Sequence, residues 1–177
     1  MSLKIPCLLE GTLVRCFADG KEVYKSIENL CKGDFVRTSR EGYKRVEIIG
    51  KQNITNPVDD ERIEDRIYKC STINYPELTE DLFINGCNSI LINKFTNEQR
   101  EKIIKQLGKV STTESKYRLP AFIDDKTEPW NLEGEYNLWY IVLENSSEKM
   151  NYGIFVNGGL LVESCSINLL KINKILI

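Results

Sequence analysis

Six cysteines and no histidine frame what this chain can do chemically. The thiols are Cys7, Cys16, Cys31, Cys70, Cys87 and Cys165; no two form a C-x-x-C pair, so a zinc site has weak support. Histidine is the only side chain whose ordinary pKa lies between about pH 5 and 8. Serine or cysteine hydrolysis with a histidine base is therefore excluded, and so is a His-containing metal site. A cysteine nucleophile would have to ionise unaided, and an ordinary thiol is only a few per cent thiolate near pH 7. Asp124, Asp125 and Glu163 could stand in as acids only if burial raised their pKa; exposed acids are the commoner case. One stretch, LFINGCNSILI (82–92), holds Cys87 between two asparagines. Asn-Gly between apolar runs signals a hairpin, because both residues tolerate the positive φ of a type I′ turn. On local grounds the hairpin outweighs a catalytic reading.

The elements that would position these groups are mostly short strands and tight turns. TLVRCF and EVYKS flank Ala18-Asp19-Gly20-Lys21, a hairpin signal. SIENLCKGD reads as one helical turn from Ser26 to Gly33. DFVRTS and YKRVEIIGKQNI flank Arg40-Glu41-Gly42, a second hairpin. DDERIEDR is a loop or a short helix, and IYKCST a strand. One helix is clear, over 97–107: Thr96 caps it, Gln99 completes a capping box, Gly108 ends it, and Glu101 and Lys105 can pair. YRLPAF is a strand. LWYIVLEN and NYGIFVN suggest another hairpin, and Asn157-Gly158-Gly159 turns the chain into LLVESCS. The tail INLLKINKILI fits a helix or a strand, with helix favoured. Trp130 and Trp139 read as packing residues. The expected fold is mainly β.

At 177 residues the chain suits one domain of the usual size, about 100–200 residues. Its net charge of −2 and interspersed signs argue against a nucleic-acid partner. No apolar run reaches the roughly 20 residues of a membrane span, and the N-terminus lacks a signal peptide's apolar region. These features lead us to expect a soluble intracellular monomer with reduced thiols, no membrane association and no cofactor.

The order of the pieces carries a resemblance. CLLEGTLVRCFADGKEVYKSIENLCKGDFVRT resembles the opening block of Hint domains, the hedgehog/intein self-processing fold: a cysteine, a Gly-Thr strand, a DG hairpin, an I-E-x-L turn and Gly33-Asp34. LWYIVLEN…YGIFVNGGLLVES is similar to the closing blocks. ERIEDRIYKCS, ILINKFTNEQREK and YRLPAFIDD look like the Hint proteins of giant DNA viruses. The resemblance implies a compact antiparallel Hint fold over residues 7–166, with a leader at 1–6 and a packed C-terminal tail at 167–177. It also implies a host-cytoplasmic or virion location.

The resemblance also assigns a site. Cys7 stands at the nucleophile, whose thiolate would attack the Pro6 carbonyl in an N-to-S acyl shift. Asn85 and Asn88 stand where the family has threonine and histidine. Tyr140 is nearest to the place of a further histidine or aspartate. Glu163-Ser164, followed by Cys165, occupies the place of the terminal His-Asn. Asn85 and Asn88 could still donate to an oxyanion, but they cannot transfer a proton. A positioned general acid is worth roughly 10²–10⁴ in rate, or about 3–5 kcal/mol. The expectation is a degenerate self-processing domain, inactive or very slow, kept as an interaction or structural module for an unidentified protein. The alternative is an active cysteine autoprotease, and a weaker one is a redox or metal-binding thiol cluster. The resemblance further implies that Cys7 lies near Cys87 or Cys165, with Cys165 favoured.

Overall fold

The computed structural model describes residues 4–176. The parts of the expected leader and tail at residues 1–3 and 177 lie outside the described residues. Fourteen strands and two helices follow in chain order. They are β1 (Leu8–Leu9), β2 (Leu13–Ala18), β3 (Lys21–Ser26), β4 (Phe35–Arg37), β5 (Tyr43–Asn56), β6 (Ile67–Cys70), β7 (Leu82–Asn85) and β8 (Ser89–Ile92). Then come α1 (Asn97–Leu107), β9 (Thr112–Thr113), β10 (Lys116–Pro120), β11 (Glu128–Pro129), β12 (Gly134–Leu143), β13 (Gly153–Val156), β14 (Leu160–Glu163) and α2 (Ile167–Ile172). The fold is mainly β, and the strand pairs are antiparallel.

Neighbouring strands run in the order β11-β6-β7-β1-β12-β5-β4-β2-β13-β14-β8-β10-β9, with β3 added to β2. The long strand β5 joins the two halves. Its first residues pair with β4, as Phe35 opposite Arg45, and the rest pairs with β12 from Ile48 opposite Val142 to Asn56 opposite Gly134. Alternation explains which faces go inside. In β2, Val14 and Cys16 are buried while Arg15 and Phe17 point outward. A large core holds Val14, Val36, Tyr68, Leu82, Ile90 and Ile154; a second, smaller cluster holds Ile5, Cys7, Leu138, Tyr140, Cys165 and Leu170.

The two early hairpins form as expected. Asp19 and Gly20 take φ of 53° and 78°, which suits the two-residue turn between β2 and β3. Thr96, Gln99 and Gly108 cap α1 as the sequence predicts. The i, i+4 ion pair on α1 is Glu98 with Lys102 at 3.5 Å, rather than Glu101 with Lys105. The 57–66 segment is a loop, not a short helix. It is pinned by Arg66, which is fully buried and donates to Asp59 at 2.8 Å and to Glu61 O at 2.9 Å. The tail forms the helix α2, capped by the Ser166 side chain at Leu169 N.

Two expected hairpins do not form. β12 pairs with β5 and β1, and β13 pairs with β14 and β2, so 144–152 is a crossover between the two halves. β5 offers β12 a ladder of ten paired positions, which the four residues of β13 could not match. LFINGCNSILI is also a crossover. β7 pairs with β6 and β1, whereas β8 pairs with β10 and β14. Gly86 is not at positive φ. It is glycine because the backbone of 63–64 crosses it: a Cβ there would sit 2.6 Å from Glu64 O and 2.8 Å from Glu64 Cα. The Gly86 N–H is shared by Glu64 O at 3.1 Å and Arg66 O at 3.0 Å.

Gly86→Ala should therefore lower stability by about 1–3 kcal/mol, read as a reduced urea-unfolding midpoint. An unchanged midpoint would mean that the 63–66 backbone does not pack on the turn.

Candidate functional site

Cys7 sits just before β1, which is held between β12 (Leu8 opposite Trp139) and β7 (Leu8 opposite Ile84). That register sets Asn85 and Tyr140 beside Cys7. Cys165 follows β14; its N–H donates to Ile141 O at 2.9 Å and it forms a parallel bridge with Val142. The crossover 85–88 closes the group from the other side through Asn88 N–H to Asn85 O at 3.1 Å. The structure thus brings together Cys7, Asn85, Asn88, Cys87, Tyr140 and Cys165.

The hydrogen bonds define what each group can do. The Cys7 N–H donates to Asn85 Oδ1 at 2.9 Å. Asn85 Nδ2 donates to Ile5 O at 2.8 Å and to Cys87 Sγ at 3.2 Å. An amide N–H only donates and a carbonyl only accepts, so these partners fix which end of the Asn85 amide is which. Cys7 O accepts from Asn88 Nδ2 at 3.1 Å and from Asn85 N–H at 3.3 Å. The two asparagines therefore grip the carbonyls of Ile5 and Cys7, the residues on either side of Pro6. Neither side chain donates to Pro6 O, which is where an oxyanion would form. Asn88 Oδ1 is buried and has no partner among the described residues.

The Cys7 thiol is fully buried and accepts a hydrogen bond from Gln52 Nε2 at 3.2 Å. Burial pushes its pKa well above the ordinary value; nearby Cys87 adds to this, Gln52 opposes it, and Cys165 adds a smaller increment. Cys165 packs in the same apolar cluster as Cys7, and Cys87 Sγ donates to Ile5 O at 3.2 Å. Cys165 is pushed up to about 12, chiefly by burial. Burial, followed by the presence of Cys7 and Cys165, raises the Tyr140 phenol too. The Tyr140 ring lies over Gly50 of β5, where a side chain would collide with it. Ser164 is turned elsewhere: its Oγ accepts from Tyr152 N–H at 3.0 Å and its carbonyl accepts from Asn151 Nδ2 at 2.7 Å.

Of the three acids weighed from the sequence, Asp125 is exposed and pairs with Lys102 at 2.6 Å, while Asp124 is buried and accepts from the Tyr75 hydroxyl. Glu163 is buried beside the group. Its Oε1 accepts from Ser89 N–H at 3.2 Å, and its Oε2 faces Asn151 Nδ2 at 3.2 Å and Arg118 Nε at 3.3 Å. Burial raises its pKa, against the pull of Arg118 and these donors. A cleft of about 210 Å³ reaches Cys87, Ser89, Arg118 and Glu163 between Pro6, Ile103 and Leu169. Six cysteines remain free thiols, and no group of three or more Cys, Asp or Glu side chains is placed to hold a metal ion among the described residues. No helix among the described residues is long and apolar enough to cross a membrane.

Two contributors were not legible beforehand. Gln52 is one polar residue among several in KQNITN, and nothing local marks it as the thiol's donor. Ile5 reads as part of an expendable leader, yet it is fully buried and its carbonyl accepts from both Asn85 Nδ2 and Cys87 Sγ, the latter at 3.2 Å. Leu170 of α2 covers the same cluster. No protein-family model matches the chain, and a search of curated proteins gives no match.

Native-state alkylation should follow exposure and thiolate content. Exposed Cys31 reacts with iodoacetamide first, half-buried Cys87 slowly, and Cys7, Cys16, Cys70 and Cys165 only after denaturation, as peptide mapping would show. Rapid native labelling of Cys7 would contradict its burial. The Glu163 carboxyl should titrate above its ordinary 4.5 in a carbon-detected NMR series. Between 4.5 and the raised native value the folded state holds a proton that the unfolded state has lost. Glu163's contribution to stability is therefore full below 4.5 and declines as pH rises through the native value.

Proposed function

We propose that this chain is a degenerate hedgehog/intein-type self-processing domain, inactive or very slow in the N-to-S acyl shift at Cys7. In this reading it is retained as an interaction or structural module. The observation that carries the reading is the bond from Cys7 N–H to Asn85 Oδ1 at 2.9 Å. An acyl shift needs that nitrogen to receive a proton as it leaves. Asn85 presents it with lone pairs instead of a proton, and Asn88 turns to the Cys7 carbonyl. The attacking thiol is kept protonated by burial. The donors that could stabilise an oxyanion bind the flanking carbonyls, so that contribution is absent at Pro6 O. Three requirements of the chemistry are unmet at once.

The segment before Cys7 is also held in place. Ile5 and Pro6 are buried, and Lys4 N–H donates to Asn173 Oδ1 at 3.2 Å. Cleavage at Pro6-Cys7 would free a strip of chain that the fold has packed into its smaller core. An active-autoprotease reading draws on Glu163, a buried acid with a raised pKa near Cys87 and Cys165. Its oxygens are engaged by Ser89 N–H, Asn151 Nδ2 and Arg118 Nε, and no hydrogen bond links it to Cys7 among the described residues. The inactive reading is the better supported.

Purified protein held for days near pH 7 should keep its intact mass, with or without hydroxylamine or a small thiol. A species beginning at Cys7, or an adduct of the preceding segment, abolished by Cys7→Ala, would establish the active reading. Asn88→His combined with Asn85→Thr and Pro6→Gly supplies the missing acid and uncrowds the carbonyl. If the frame is otherwise competent, that variant should release the segment before Cys7 in a thiol-dependent way. An inert variant with a native circular dichroism spectrum would locate the defect in backbone geometry as well.

A further inference from the structure

The outward face of β2, β3, β4, β5 and β13 departs from the usual pattern of a solvated sheet face. Polar side chains are expected there. Instead it carries five aromatic residues, Phe17, Tyr24, Phe35, Tyr43 and Phe155, and three arginines, Arg15, Arg37 and Arg45. The strand registers set them in rows. Phe17 lies opposite Phe35, and Phe35 opposite Arg45. Arg15 lies opposite Tyr24, with its guanidinium 4.4 Å from the Phe155 ring centre. Arg37 lies opposite Tyr43, its guanidinium 5.3 Å from that ring. Phe17, Tyr24 and Phe35 are 40%, 41% and 38% exposed, far more than packing requires.

The charge on this face is asymmetric, although the chain as a whole carries −2. The carboxylate lying among these rings is Glu22. It is neutralised by Arg15 at 3.7 Å and accepts from the Tyr43 hydroxyl at 2.9 Å. Arg37 and Arg45 have no carboxylate in ion-pair range among the described residues. At the margin, Glu47 pairs with Lys32, and Glu144 accepts from the Arg45 backbone N–H. The free edge of the sheet, β3, carries Lys21 and Lys25, which discourage addition of another strand.

We propose that this face binds single-stranded nucleic acid, with bases stacking on Phe17, Phe35 and Tyr24 and phosphates meeting Arg37 and Arg45. Every base has a π-face, so exposed rings on a sheet take successive bases without reading their edges. Guanidiniums suit phosphate because their planar fork gives paired donors. The most exposed apolar groups here are flat rings, with the half-buried Leu13 at the margin opposite Ser26, and the unpaired charge is positive. That combination fits a stacked polyanion better than an ordinary protein surface. The interspersed charge of the sequence argues against such a partner; folding sorts arginines from three separate strands onto one face, which linear order hides.

Fluorescence anisotropy with labelled single-stranded oligo-U and oligo-dT, against a duplex of the same length, tests the proposal on the full chain. Saturable single-strand binding at low salt is expected, with the duplex weaker; the tighter of the two single strands tells RNA from DNA. Phe17→Ala and Phe35→Ala should each weaken binding by about 5- to 100-fold. Phe35→Leu keeps the apolar cover and should weaken it nearly as much. Arg45→Gln should reduce the slope of log affinity against log salt by about 0.7. The absence of saturable binding would overturn the proposal, as would Phe variants of unchanged affinity with a native circular dichroism spectrum. Competition by poly-glutamate as strong as by oligonucleotide would overturn it in favour of an acidic protein partner.

Discussion

The side-chain amide of Asn85 holds the centre of this molecule together. β1 is only two residues long, too short to anchor the start of the chain by ladder bonds alone. Asn85 adds a donor to Ile5 O and an acceptor for Cys7 N–H, and its own backbone N–H reaches Cys7 O. Residues 5–7 are thereby tied to β7 as if the strand were longer. Unpaired, each of those buried groups would cost about 1–3 kcal/mol. Once the segment is fixed, Ile5 and Cys7 supply the floor on which Leu138, Tyr140, Cys165 and Leu170 pack. The opening segment, the crossover and the C-terminal helix depend on one another through this contact.

The same arrangement sets the chemistry. Packing that seats Cys7 in an apolar cluster also removes the water and charge that would stabilise a thiolate. Tyr140, Cys87 and Cys165 all stay protonated near neutral pH for the same reason. Glu163 is the exception in type, a buried carboxyl held by Ser89, Asn151 and Arg118.

How much of this could be read from the sequence differs by level. Local signals with a steric cause were legible: Asp19-Gly20 demands positive φ, Thr96 and Gln99 close a capping box, and Gly108 stops a helix. Asn-Gly at 85–86 has the same spelling but a different cause. Gly86 is small because another backbone crosses it, and that backbone lies some twenty residues earlier. Likewise, the pairing of β12 with β5 rather than with its sequence neighbour β13 is decided by ladder length, a property of two distant segments. Cys7, Asn85, Asn88, Tyr140 and Cys165 come together from distant parts of the chain, a proximity that only the folded topology creates. Gln52 and Ile5 carried no signal because their roles exist only once a partner has arrived.

Asparagine at 85 and 88 can also be argued from valence. Threonine at 85 would offer one hydroxyl donor and a single oxygen, so it could not serve Cys7 N–H, Ile5 O and Cys87 Sγ together. The asparagine amide has one acceptor oxygen and two N–H donors, and all of these are used. Histidine at 88 would have to sit uncharged in a site with no exposure, or carry a proton there at considerable cost. Asparagine avoids that choice and still donates to Cys7 O, leaving a single orphan acceptor, Oδ1. Asn85 and Asn88, neither of which titrates, thus secure residues 5–7 to the sheet. A fold relying on them gains a fixed N-terminal segment whose peptide bond at Pro6-Cys7 is shielded by its own packing.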